Sequence, residues 1–241
     1  VSGSFLFTDA FPSMRLGNWL SYGKLRASYA AVGNDADPYQ LAVTYAAGTP
    51  FGSVPRFGVP NTIPNANLKP ERTKSWEAGG EFRLLDDRIS LDATYYNKLT
   101  SNQIIPAQIT PAIGFTSAVV NAGSIRNKGV ELQTTISPIR SSNGFNWDVV
   151  VNYAKNDSKV ESLYPGLQTV VLGAYWGVSV EARLDQPYGT LYGNPYLRND
   201  DGKLLLQNGL PRVDPNQVVL GHYTPDWIGG IQNRFHYRDF D

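Results

Sequence analysis

Apolar and polar residues alternate along stretch after stretch of this chain, and a period of two commits the backbone to strands with one apolar and one wet face. In Lys24 to Gly33, Leu25, Ala27, Tyr29 and Ala31 oppose Lys24, Arg26 and Ser28. Gln40 to Ala46 puts Leu41, Val43 and Tyr45 together. Between Ser75 and Leu84, Trp76, Ala78, Gly80, Phe82 and Leu84 oppose Ser75, Glu77, Glu81 and Arg83. Ile89, Leu91, Ala93 and Tyr95 oppose Ser90, Asp92 and Thr94, and Val130, Leu132, Thr134 and Ile136 oppose Glu131, Gln133 and Thr135. Phe145, Trp147, Val149, Val151 and Tyr153 oppose Asn146, Asp148 and Asn152. Late in the chain, Trp227, Gly229, Ile231, Phe235 and Tyr237 oppose Gln232, Arg234, His236 and Arg238. No stretch shows a convincing helical period, so the predicted class is all-β.

The connectors add an asymmetry. Leu85 to Arg88 and Arg140 to Gly144 are short, and Asn143-Gly144 is a strong turn signal. Gly48 to Arg72, Gln103 to Gly123 and Ser162 to about Tyr223 are long. In a meander, tight turns then gather at one edge and long loops at the other, as in an outer-membrane barrel. The charge-free stretches Leu99 to Ile125 and Ser162 to Val180 are broken by prolines and glycines, so neither makes a spanning helix. Spanning β-strands need only about 9–11 residues each. Asp87 to Leu99 and Phe145 to Val160 read as nearly continuous and exceed the usual soluble strand. Aromatic residues near strand ends suit interfacial girdles. A soluble β-rich carbohydrate-binding or adhesion module shares the alternation and is the competing reading.

Little chemistry is visible. With no cysteine, thiolate metal sites and thiol nucleophiles are excluded. Lys plus Arg and Asp plus Glu both number 21, and no basic-aromatic cluster points to nucleic acid. His222 and His236 are not spaced as metal ligands. Asn199-Asp200-Asp201-Gly202 lacks the ligand spacing of a calcium loop and reads as a β-turn. No catalytic residue is assigned and an enzyme is not expected. Gly123 and Gly129 are expected to permit a bulge or close backbone approach, and Gly229 and Gly230 curvature or close packing. Asn127 and Glu131 are expected to face a polar interior.

Five ordered segments resemble the SusC/RagA-type TonB-dependent outer-membrane transporters of Bacteroidota. They are Leu20 to Asn34, Ala66 to Phe82, Asp87 to Ile104, Asn121 to Leu132 and Gly221 to Phe240. Asn121 to Leu132, NAGSIRNKGVEL, is the most specific. Ala30 and Ala66 depart from the family's usual glycine and proline. The resemblance implies a partial transmembrane antiparallel β-barrel across 1–241, an up-and-down meander with short periplasmic turns and long extracellular loops, in the cell outer membrane. It implies import of glycans or oligopeptides, energised by the TonB system through a region outside this sequence, with a SusD-like surface lipoprotein as partner and lipid around the wall. No cofactor is implied, and calcium in the extracellular loops has no clear motif behind it. Tyr164, Tyr175, Trp176, Tyr188, Tyr192 and Tyr196, in the longest connector, are the candidate contacts for substrate or partner. Leu184 to Tyr196 is expected to be extended.

Length sharpens the expectation. At roughly 20–25 residues per strand and connection, the chain supplies some eight to ten strands, whereas the resembled transporters close about 22. Together with a start at Val1 rather than methionine, this is read as part of a longer polypeptide.

Overall fold

The computed structural model describes residues 1–142, 144–238 and 240; Asn143, half of the expected Asn-Gly turn, lies outside them. Seven strands form one sheet whose spatial order follows the chain: β1 (Ser2–Leu6), β2 (Leu20–Asn34), β3 (Glu71–Leu84), β4 (Ile89–Ser101), β5 (Gly123–Arg140), β6 (Phe145–Leu163) and β7 (Ile228–Tyr237). Every pairing in it is antiparallel, so the sheet is an up-and-down meander. The sheet is open in this chain.

Two expectations need correction. Gln40 to Tyr45 is not a strand; the ribbon begins at Ala46–Phe51 and pairs with Val54–Gly58. Leu41, Val43 and Tyr45 are exposed, and alternation without a partner edge satisfies no backbone group. The wall has seven strands among the described residues rather than eight to ten, because residues 164–227 form one connector.

The turns fall as a meander requires. Residues 7–19, 85–88, 141–142 and 144 lie at one edge, and 35–70, 102–122 and 164–227 at the other. Leu85, Asp86 and Asp87 all adopt positive φ, making a tight reversal closed by a bond from Arg88 N–H to the Leu85 carbonyl at 3.1 Å. The first connector docks on this turn, with Leu85 and Asp86 N–H donating to Trp19 and Asn18 carbonyls. A register shift between Ile136 and Ile139 puts a bulge at Ser137-Pro138, a tolerated place for a residue without an N–H. Arg140 donates to the carbonyls of Asp86 and Asp87, which ties the two short turns together.

One face of the sheet is apolar between two aromatic belts. Near the short-turn edge, Trp147 lies opposite Phe235 and Phe145 opposite Tyr237, with the Trp147 and Phe235 rings stacked at 5.8 Å. The Trp147 indole N–H donates to Asn233 at 3.1 Å. Toward the long-loop edge, Trp76 packs on Tyr95 and Tyr153 on Trp227, at 5.2 and 6.1 Å. Between the belts this face carries Phe82, Leu91, Thr134, Val151 and Ile231 in one register row.

The upper belt also reports the tilt of the strands. The register row through Trp76 passes Asn97 and Lys128 and ends at Asp157, yet the belt sits at Tyr95 and Tyr153, two residues below Asn97 and four below Asp157. With about 3.3 Å per residue and about 4.8 Å between strands, that offset over three spacings is a tilt of roughly 40°. Spanning barrel strands tilt by about 35–45°. At this tilt, the strand from Phe145 to Tyr153 rises roughly 20 Å, close to the apolar band of about 25 Å on such barrels. Among the described residues, no helix is long and apolar enough to cross a membrane.

Candidate functional site

The polar face is cross-braced over glycines. Arg26 on β2 passes over β3 at Gly79 and forms a bidentate pair with Asp92 on β4, at 2.5 and 2.8 Å, and also donates to Thr94 at 2.5 Å. A Cβ on Gly79 would lie 2.7 Å from the Ala93 carbonyl and 3.0 Å from Arg26 Nε. The same device recurs two strands on. Tyr96 on β4 crosses β5 at Gly129, and its hydroxyl donates to Asn156 on β6 at 3.0 Å. Asn156 in turn donates to Asn127. Glu131 faces the same side without a hydrogen bond or ion pair among the described residues, beside a recess of about 540 Å³ that includes Arg26, Asp92, Gln133 and Asn152. Asn127 and Glu131 therefore lie on the polar face, as expected. The crossing partners escaped the sequence reading; glycines inside alternating strands were their only trace.

At the long-loop edge the connectors fold into a cap. Ile104–Gln108 pairs with Ser117–Asn121, which also takes Thr62–Ile63 as a parallel neighbour. The last connector makes a four-stranded sheet from Thr169–Tyr175, Val178–Arg183, Thr190–Gly193 and Val218–His222. Its apolar core joins Ile105, Ala107, Ala122, Val170 and Ala182 to Ile125 and Val160 at the upper ends of β5 and β6.

Motif residues staple this cap down. The Asn121 amide donates to the carbonyls of Lys69 and Asn102 at 2.8 and 2.9 Å and accepts from Lys69 N–H at 2.9 Å, joining two loops. Glu71 accepts the Ile104 N–H at 2.8 Å. Gly123, at φ 141°, sits where a Cβ would collide with the Ser162 carbonyl, so no larger residue fits. Asp185 and Gln186 exchange backbone bonds with Val160 at 3.0 and 2.9 Å, and Lys159 pairs with Asp185 at 2.8 Å. Leu184 to Tyr196 is thus a strap: a turn against β6, then a strand only at Thr190–Gly193.

The six candidate aromatics separate into two groups. Tyr188 packs against the cap core, and burial raises its phenol pKa above the ordinary value. Tyr192 lies under the Arg183 guanidinium at 4.1 Å, and Arg183 is paired at 2.7 Å with the buried Glu181. Tyr164, Tyr175, Trp176 and Tyr196 are exposed. Tyr175 and Trp176 occupy the apex of the hairpin joining Thr169–Tyr175 to Val178–Arg183. Trp176 has φ 39° and Gly177 φ 89°, a two-residue turn of the type that favours Asn-Gly. A fully exposed tryptophan in the left-handed region is costly for the fold, and such strain gathers at functional sites.

The remaining sequence candidates are local. Asn199 to Gly202 is a turn, with the Asn199 carbonyl accepting from Gly202 N–H and its side chain from Lys203 N–H. His222 contacts Thr224 and lies 3.3 Å from Asp226. Among the described residues, no three His, Asp or Glu side chains gather as metal ligands do.

Known proteins share this architecture. A family model described as TonB dependent receptor-like, beta-barrel matches residues 3–240. A TonB-dependent receptor of Formosa agariphila is 28% identical over 250 residues, covering 90% of this chain and 24% of its own length. The TonB-dependent receptor SusC of Bacteroides thetaiotaomicron is 29% identical over 178 residues, covering 65% of this chain and 17% of its own. The solved RagAB peptide transporter superposes with a TM-score of 0.77 at 20% identity, over 98% of this chain and 27% of that one. The chain spans 17% to 27% of the length of these relatives.

Proposed function

Because the chain belongs to the TonB-dependent receptor-like β-barrel family and so is a protein of the outer membrane, we propose that the whole protein is an active importer rather than an enzyme. This chain supplies wall and external cap. The uptake is energised by the TonB system, a SusD-like surface lipoprotein covers the mouth, and the cargo is a glycan or an oligopeptide. The observation that carries this reading is the one-sided architecture: an apolar band between aromatic belts, with all the elaborate loops at one edge. The soluble-module alternative leaves that band without a solvent it suits.

Within the cap, Tyr175 and Trp176 are the proposed cargo contacts, because they are presented at an apex while Tyr188 and Tyr192 hold the cap together. Replacing Trp176→Asn removes the ring and installs a residue the turn favours, so the cap stays folded. In cells carrying the whole protein, accumulation of a labelled glycan or peptide should stop when a protonophore removes the proton-motive force. The Trp176→Asn variant should raise the half-saturating concentration about three- to tenfold at unchanged maximal rate. Uptake indifferent to the protonophore would overturn the importer reading. An unchanged half-saturation would remove the hairpin from the cargo path.

A further inference from the structure

The apolar face changes character just beyond the upper aromatic belt. Two residues past Trp76 on β3 is Lys74, with Arg72 beyond it, and two past Tyr153 on β6 is Lys155. Strand alternation keeps all of these on the outward face with the belt. Between them, β5 presents Lys128 and Arg126, and further up β6 stands Lys159. Carboxylates on this side are already engaged: Asp157 with Lys128 at 3.2 Å, Asp185 with Lys159 at 2.8 Å, and Glu161 with Arg126. Arg72, Lys74 and Lys155 are exposed and have no ion pair among the described residues. The short-turn edge mixes the two signs instead, with Asp86 and Asp87 beside Arg88 and Arg140, and both arginines donate to backbone carbonyls there.

Cations just beyond an aromatic girdle lie at the depth of lipid headgroups, with their carbon stems over the apolar band and their ammonium groups toward water. The long-loop edge faces the exterior in barrels of this kind, so the belt belongs to the outer leaflet. We propose that Lys74 and Lys155, with Arg72, form a binding belt for phosphate-bearing headgroups of outer-leaflet lipid. Phosphate is the complement that the unpaired charge selects, and lysine meets it as a compact point charge. The belt would fix the depth of the wall and hold a lipid shell under the cap.

The test uses the whole protein in nanodiscs doped with a diphosphorylated glycolipid or its dephosphorylated form, with bound lipid counted by native mass spectrometry. The wild type should retain the phosphorylated lipid preferentially. The pair Lys74→Gln and Lys155→Gln should weaken that preference by about fivefold per lysine, and raised salt should erode it. Arginine at both positions should preserve it. Lys98→Gln, on the polar face, should leave it intact, while heat-modifiable migration on gels confirms that each variant is folded. Equal retention of the two lipids by the wild type, or an equal loss in Lys98→Gln, would overturn the proposal.

Discussion

Gly129→Val is expected to abolish assembly of the wall. A Cβ at this position would collide with the Lys155 carbonyl and stand 2.5 Å from the Tyr96 hydroxyl. The tyrosine can swing away, but the carbonyl belongs to β6 and holds the register from both sides. Relief therefore means separating β5 from β6, the most extensively paired strands of the sheet. Overpacking of this kind costs about 1–3 kcal/mol where side chains yield, and more where backbone must move. The whole protein carrying Gly129→Val should be lost from the outer membrane and recovered as degraded or aggregated chain. Gly230→Ala is the matched control, because a Cβ there meets nothing within 4 Å. Equal yields of folded protein from the two variants would show that the close approach at Gly129 is not required.

Val151→Arg should be nearly as severe for a different reason. Val151 lies on the apolar face between Thr134 and Ile231, midway between the aromatic belts. An arginine near the bilayer midplane costs about 2–4 kcal/mol on a barrel's lipid face. Its neighbour Val150 points the other way, between Thr135 and Gln232, where water or polar groups receive a charge. Val151→Arg should lower the temperature of heat-modifiable unfolding markedly, and Val150→Arg should change it little. A reversal of that order would put lipid on the wrong side of the sheet.

The alternation that revealed the strands is imposed by lipid on one side only, which explains where the sequence reading stopped. It marks Val130 to Ile136 clearly, whereas β5 runs from Gly123 to Arg140. Above the belt both faces meet water or the cap, so Arg126 and Lys128 occupy positions that carry apolar residues lower down, and the periodic signal vanishes although the backbone ladder continues. Gln40 to Ala46 shows the converse error, a pattern with no strand beside it. The motif around Asn121 was legible as a signature, but its work was not: stapling two loops and clearing the path of Tyr96 depends on partners far away in sequence. Tyr188 and Trp176 likewise look alike in the chain. Only the register of the cap sheet separates the one packed against the core from the one at the apex.

On the face assignment given above, β6 crosses the membrane with odd-numbered residues toward lipid and even-numbered residues toward a polar interior. The absence of cysteine makes it directly measurable, since each introduced thiol is then the only one in this part of the chain. Single cysteines at 149, 150, 151, 152 and 153 in the whole protein, in intact outer membranes, would be reacted with a fluorescent maleimide after denaturation or directly with a water-soluble one. Direct labelling is expected at 150 and 152, with protection at 149 and 151, and with quenching of probes at the protected sites by a nitroxide confined to the acyl chains. Uniform aqueous labelling across all five positions, or quenching at 150 and 152, would contradict it.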